Sequence, residues 1–211
     1  MYESERRSRD YYEGRARWYD WANRLAALVR GESATNERRK AVRRLNLKPG
    51  DRVLEVSAGT GSNLSLIAEE VGPAGRMVGL DISPAMLSRC RRKLRGRGLQ
   101  ADLVKGEAAH LPFRDGGLDA VFHHGGIAEF GDRQGAIAEM VRVARPGARV
   151  VICDPGLPTD RKLSLASRLL LRLQPIYAQP PPADLIPPTA RDVRVSWFHG
   201  GAWYMIECEK G

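Results

Sequence analysis

A carboxylate set just ahead of closely spaced glycines is the first chemical signal in this chain: Val53-Leu54-Glu55-Val56-Ser57-Ala58-Gly59-Thr60-Gly61-Ser62-Asn63-Leu64. The run reads as a buried strand entering a tight turn and then a helix. Gly59 and Gly61 let the backbone adopt unusual angles and approach a ligand closely, while the helix behind them points free N–H groups at it. Such a loop can serve a dinucleotide, and Asp81, about twenty residues on, would then meet a ribose. Two residues argue against that ligand. Leu64 holds the sixth position of the pattern, where helix packing wants a small side chain, and Glu55 sets an acid beside the place of a pyrophosphate. A cationic ligand suits the acid better. Further along, His123, His124 and Glu129 follow an apolar run, and their types fit proton transfer to or from a reacting group. Neighbouring strand residues point to opposite faces, so at most one of the two histidines faces a substrate, and the pair is poorly placed to share a metal ion.

These groups need a scaffold, and the pattern around them supplies one. Arg52–Val56, Met77–Leu80, Ala101–Val104, Leu118–Phe122 and Arg149–Cys153 read as strands, with helical stretches between them. Strands alternating with helices give a parallel sheet covered on both faces. The clearest helix runs from about Arg133 to Ala144, with Asp132 as its N-cap and Ile137, Met140, Val141 and Ala144 at helical spacing. Pro146 and Gly147 are expected to stop it before the fifth strand. A further helix is expected from about Arg161 to Leu173, and the six prolines from Pro175 to Pro188 are then expected to forbid regular structure across that loop. Asp192–Phe198 and Ala202–Glu209, parted by Gly200-Gly201, form a hairpin, so at least one of these strands runs antiparallel to its neighbour. Ahead of all this, Tyr11–Val29 is helical and aromatic. Residues 1–45 are read as a helical appendage or lid, and residues 46–211 as one ligand-binding domain.

The residues around Glu55 resemble those of class I S-adenosylmethionine-dependent methyltransferases. The family's first motif, an acid followed by x-G-x-G-x-G, corresponds to Glu55-Val56-Ser57-Ala58-Gly59-Thr60-Gly61, with Ser57 in place of the first glycine. Its second motif, an acid ending the second strand and holding both ribose hydroxyls, is similar to Val78-Gly79-Leu80-Asp81-Ile82-Ser83. A carboxylate can accept both hydroxyl hydrogens. Gly106-Glu107-Ala108-Ala109-His110-Leu111-Pro112-Phe113 is similar to the adenine-binding turn, Leu118–Phe122 to the fourth strand, and Arg142–Ala148 to the turn before the fifth. The resemblance implies a Rossmann-like, doubly wound α/β fold with a seven-stranded, mostly parallel sheet, an antiparallel C-terminal hairpin strand and helices on both faces. It implies S-adenosyl-L-methionine as cofactor, held by Tyr19, Glu55, Ser57, Ala58, Gly59, Gly61, Asp81, Ile82, Met86, Glu107, Ala108 and His123. A sulfonium methyl is already activated, so holding a nucleophile in line behind it supplies most of the catalysis, about 7–11 kcal/mol. His124 and Glu129, just past the fourth strand, are the candidate catalytic groups.

Trp18-Tyr19-Asp20-Trp21-Ala22-Asn23 is similar to a Y-D-x-x-N stretch of the ubiquinone and menaquinone methyltransferases and their small-molecule relatives. Those quinone enzymes carry an arginine-asparagine pair where this chain has His124-Gly125-Gly126, which counts against quinone C-methylation. The expected acceptor is a small molecule or a lipid. Phospholipid-amine N-methylation and a non-catalytic, cofactor-binding regulatory role stand as alternatives.

The bulk numbers set the remaining limits. A length of 211 residues with 43% hydrophobic content suits one buried core. Cys90, Cys153 and Cys208 are odd in number and far apart, which disfavours a disulfide framework or a metal cage and favours a reducing, cytoplasmic setting. No basic-then-apolar leader is evident, and the most apolar stretch, Leu163–Tyr177, is cut by Arg168, Arg172 and Gln174. The net charge of +9 attracts phosphate-bearing partners at long range. The arginine clusters at 38–44 and 89–97 lack interleaved aromatics, so specific nucleic-acid binding is not expected. Arg161, Lys162, Arg168 and Arg172 on a leucine-rich segment leave peripheral membrane contact open beside ordinary packing on the sheet.

Overall fold

The computed structural model describes residues 34–158, 171, 175–198 and 201–211. The aromatic helix expected over Tyr11–Val29, Tyr19 with it, and nearly all of the helix expected over Arg161–Leu173 lie outside the described residues. Within them the elements run α1 (Ala34–Arg43), β1 (Arg52–Val56), α2 (Ser62–Val71), β2 (Arg76–Asp81), α3 (Pro84–Arg95), β3 (Asp102–Lys105), β4 (Leu118–His124), α4 (Arg133–Val143), β5 (Ala144–Pro155), β6 (Ala190–Phe198) and β7 (Trp203–Lys210).

The strands form one seven-stranded sheet in the order β3-β2-β1-β4-β5-β7-β6. Pairings from β3 through β5 are parallel, while β7 runs antiparallel to both β5 and β6. The order reverses beside β1 and β4, and open α/β sheets bind ligands in the crevice at such a reversal, beyond the carboxyl ends of the strands.

Alternation along the central strands sorts their side chains onto two cores. Leu54, Val56, Val121 and Val150 pack with Ile137, Met140 and Val141 of α4 on one face. Val53, Phe122 and Val151 pack on the other face with Leu64 and Ile67 of α2, Cys90 and Leu94 of α3, and Ala41 and Val42 of α1. Helix α1 is therefore part of the core domain, and the boundary expected at residue 45 cuts through packed structure. Leu64 finds its room through glycine on the neighbouring strand: a Cβ on Gly79 would stand 2.9 Å from Leu64 Cδ1. The small residue that close helix–sheet packing requires sits on β2 instead of on the helix.

Two boundaries differ from expectation. Helix α4 ends at Val143, and β5 begins directly at Ala144, so Pro146 and Gly147 lie inside the strand. The β4–β5 register shifts there, and proline is tolerated at such a bulge because no ladder hydrogen bond is asked of it. The proline-rich segment is not wholly irregular as expected: it holds two short 3-10 turns, Pro175–Ala178 and Ala183–Leu185, since a single tight turn asks few backbone donors of its prolines. Among the described residues, no helix is long and apolar enough to cross a membrane.

Candidate functional site

The turn between β1 and α2 is shaped by its backbone first. Ser57 takes a left-handed conformation (φ 59°), as do Gly59 (54°) and Gly61 (77°). Serine thus occupies the path that glycine adopts freely, at a local cost. Gly61 has a second reason to be glycine, since a Cβ there would stand 2.5 Å from Cys90 Sγ of α3. Lys93, also from α3, donates to the hydroxyls of Thr60 (2.9 Å) and Ser62 (3.1 Å) and pins the turn from above. A residue of the basic cluster on α3 is therefore a loop clamp.

Asp81 joins this turn to the end of β2. Its Oδ2 accepts the Gly59 N–H at 2.8 Å and its Oδ1 accepts the Ser83 N–H at 2.9 Å. Burial raises its pKa, and those N–H bonds oppose the rise. Each oxygen keeps a lone pair for a further donor. Ser83 then caps α3, accepting from the Met86 N–H at 3.3 Å.

Beneath the turn lies Glu55, wholly buried. Its Oε1 accepts from Asn63 Nδ2 at 2.5 Å, whereas its Oε2 is buried without a hydrogen-bond partner. Desolvation pushes its pKa up to about 8, against the pull of the Asn63 hydrogen bond and the Arg38 charge. A buried acid with one empty oxygen is prepared for a cation or a strong donor.

The opposite wall follows β4. Gly125 (φ 88°) and Gly126 (φ 110°) turn the chain into a 3-10 turn at Ile127–Glu129. Asp154, at the end of β5, holds that turn from behind. Its Oδ1 accepts the Gly126 N–H at 2.7 Å and its Oδ2 the Ala128 N–H at 3.0 Å. Burial lifts the Asp154 pKa to about 7, those N–H groups opposing and Glu129 adding to the rise.

Between the two walls opens a cleft of about 770 Å³, its mouth included. Of the expected cofactor residues, Ser57, Gly59 and Asp81 form its floor side, and Ile82, Met86, Glu107 and Ala108 also line it. His124 and Glu129 line the same cleft, with Phe130 and Asp132 beside them. Its ionisable carboxyl lining comprises Asp81, Glu107, Glu129 and Asp132. Gly61, Ala58 and Glu55 lie behind the wall and shape it. His123 is turned away, contrary to its expected place at the cofactor: its Nδ1 lies 3.0 Å from the Val56 carbonyl, and its ring meets Phe130 at 5.3 Å. Burial depresses its pKa to about 4, so it is a neutral packing histidine. His124 takes the other face, its ring 4.7 Å from that of Trp203.

Sequence reasoning missed Asp154, Lys93 and Arg38. Asp154 had a usable signal, because Cys153-Asp154-Pro155 ends a strand with an acid as Leu80-Asp81 does. Lys93 and Arg38 had none that set them apart from their charged neighbours.

Comparison with known proteins decides the family. Residues 1–173 match the ubiE/COQ5 methyltransferase family. The chain belongs to that family. The demethylmenaquinone methyltransferase of Lactobacillus johnsonii is 32% identical over 163 residues, which are 76% of this chain and 66% of that protein. The enzyme of the same name from Thermus thermophilus is 36% identical over 151 residues, 72% of this chain and 67% of that one. The chain thus spans about two thirds of the length of these relatives. A S-adenosylmethionine-dependent methyltransferase from Aquifex aeolicus shares the fold with a TM-score of 0.61 at 22% identity, covering 82% of this chain and 89% of that one. The cofactor of this ubiE/COQ5 member is S-adenosylmethionine, and the residues present fit it. Asp81 keeps lone pairs for two hydroxyls at the edge of the cleft, and Glu55 keeps an unpartnered oxygen beneath the turn.

Proposed function

We propose that the chain transfers the methyl group of S-adenosylmethionine to a ring carbon of a demethylmenaquinone-type quinol. The observation that carries this reading is the joint one. Motif residues of the cofactor turn and the polar pair His124 and Glu129 line a single cleft, in a chain 32–36% identical to demethylmenaquinone methyltransferases. When bound, the cofactor supplies an activated methyl on a cationic sulfur. The protein's own work is then positional. Asp81 accepts the ribose hydroxyls, Glu107 and the Ala108 N–H hold the adenine, and Ile82 and Met86 give its ring apolar contact. The Asp154-braced turn keeps His124 and Glu129 on the acceptor side, where either can take the proton that leaves a quinol hydroxyl as its ring carbon attacks. The hydrogen on the methylated carbon then leaves as a proton, its electron pair restoring the aromatic ring and the oxygen regaining a proton. The first 30 residues, with the aromatic run Tyr11–Trp21, are proposed to cover the cleft and exclude water. Removing them should abolish turnover while leaving the melting temperature within a few degrees, and a truncated protein of full activity would refute the cover. A cytoplasmic location with peripheral membrane contact suits an acceptor dissolved in lipid.

The test is methyl-labelled S-adenosylmethionine offered with reduced short-chain demethylmenaquinone, with phosphatidylethanolamine vesicles, and with a fractionated metabolite extract. Label on the quinol ring supports the reading. A second reading is a different small-molecule acceptor, because the stretch just after β4, His124-Gly125-Gly126, lacks the arginine-asparagine pair that the resemblance to the quinone enzymes implies in that region. Label in the extract or in the vesicles, with none on the quinol, would establish that acceptor instead. A protein that binds the cofactor and labels nothing would point to the regulatory alternative.

A further inference from the structure

Helix α1 reaches the cofactor acid through a short polar relay. Arg38 Nη1 donates to Asn63 Oδ1 at 2.9 Å, and Asn63 Nδ2 donates to Glu55 Oε1 at 2.5 Å. Asn63 and Glu55 are buried, at 3% and 0% exposure, and Arg38 is half-buried. An asparagine amide can lie either way round, and its two ends are chemically opposite. A guanidinium has donors and no acceptor, so only the carbonyl end of Asn63 can face Arg38. The amino end is thereby committed to Glu55. That donor occupies Oε1 and leaves Oε2, buried and without a hydrogen-bond partner, as the oxygen still to be satisfied.

We infer that Arg38 is a positioning residue for the cofactor site: by fixing the amide of Asn63 it orients Glu55, whose buried carboxyl group acts from beneath the turn on the cationic methionine end of the cofactor. The inference concerns the cofactor alone and stands whichever acceptor the protein uses. Charge works in the same direction as geometry. The groups acting on Glu55 are the Asn63 amide, the Leu64 N–H and the Arg38 guanidinium, which favour its ionised form, and Asp81, which disfavours it along with burial. The Cys90 thiol is close enough to feel Glu55, and burial pushes it up to about 12, so it stays neutral. Arg38 is thus the cation among these groups. The same Nη1 lies 3.4 Å from His124 Nδ1, so one nitrogen touches both the cofactor relay and the acceptor side.

The test is calorimetric binding of S-adenosylmethionine and S-adenosylhomocysteine, with no acceptor present. Arg38→Gln is expected to weaken S-adenosylmethionine on the order of tenfold near neutral pH, as losing a charge-assisted contact should. S-adenosylhomocysteine, which lacks the sulfonium charge, should lose less. Asn63→Ala should lose at least as much as Arg38→Gln, and the double variant no more than Asn63→Ala alone, because the two act through one path. Arg38→Lys, which keeps a donor and a charge, should recover most of the affinity. Raising the pH from about 7 to about 9 should restore Arg38→Gln in part by ionising Glu55. Melting temperatures measured alongside separate this from loss of fold. Unchanged affinity in Arg38→Gln would overturn the inference, and so would losses that simply add in the double variant.

Discussion

Ser57 and Glu55 are the residues whose individual chemistry has the plainest consequences. Ser57 holds a left-handed backbone without glycine's freedom. Such a conformation costs an ordinary residue about 1–2 kcal/mol, part of which glycine gives back through its more mobile unfolded chain. Ser57→Gly should therefore stabilise the protein by about 1 kcal/mol in a denaturant titration, with cofactor affinity retained. A destabilised variant would mean that the hydroxyl is needed. Glu55 has a folded pKa of about 8 against an ordinary 4.5, so the unliganded fold holds its proton more tightly than the unfolded chain does. Stability is then lost as pH rises through that window, from about 4.5 to about 8. Glu55→Gln should flatten this slope in melting-temperature profiles of the cofactor-free protein; an identical profile would place the slope elsewhere. Binding of the cofactor's cation favours the ionised form, so affinity should climb as pH rises toward about 8. The sequence made these acids legible because an acid beside a glycine turn has few structural uses. It could not reveal Arg38, because one arginine in Glu37-Arg38-Arg39-Lys40 is chosen by the direction its side chain takes once α1 has docked.

At the scale of elements, the strands were readable where apolar β-branched residues run together. β1 spans the expected Arg52–Val56, and the other described strands differ at their ends by a few residues or less, apart from β5. β5 was misjudged because Pro146-Gly147 signals an end in a local reading, while a bulge in the sheet absorbs both residues. The turn after β4 shows how one element governs another. Its two glycines provide the bend, yet its placement comes from Asp154 on β5, which no periodicity marks. Asp154→Asn would put an amino group where one of two N–H donors must be accepted, so one hydrogen bond is lost. Faster hydrogen exchange at Gly126 and Ala128, and a raised KM for the acceptor, are the expected results. Exchange as slow as in the wild type would show that the glycine bend holds itself.

For the whole molecule, charge and cleft pull in different directions. The chain carries a net +9, while the charged lining of the cleft among the described residues includes four carboxylates. A basic exterior gathers anionic surfaces at long range, and an acidic interior selects a cation at short range. Weak binding to double-stranded DNA should therefore fall by orders of magnitude between about 50 mM and 200 mM salt, without sequence preference. Sequence-selective binding that survives high salt would contradict this account. Sheet order carries a different consequence, one for biosynthesis. β7 lies between β5 and β6, so β6 leaves the ribosome before the strand it must lean on exists. Until β7 arrives, β5 has an open edge and β6 has no place in the sheet. Protease pulses on ribosome-stalled chains should find residues 190–198 cleavable until the last strand has emerged, and protected soon afterwards.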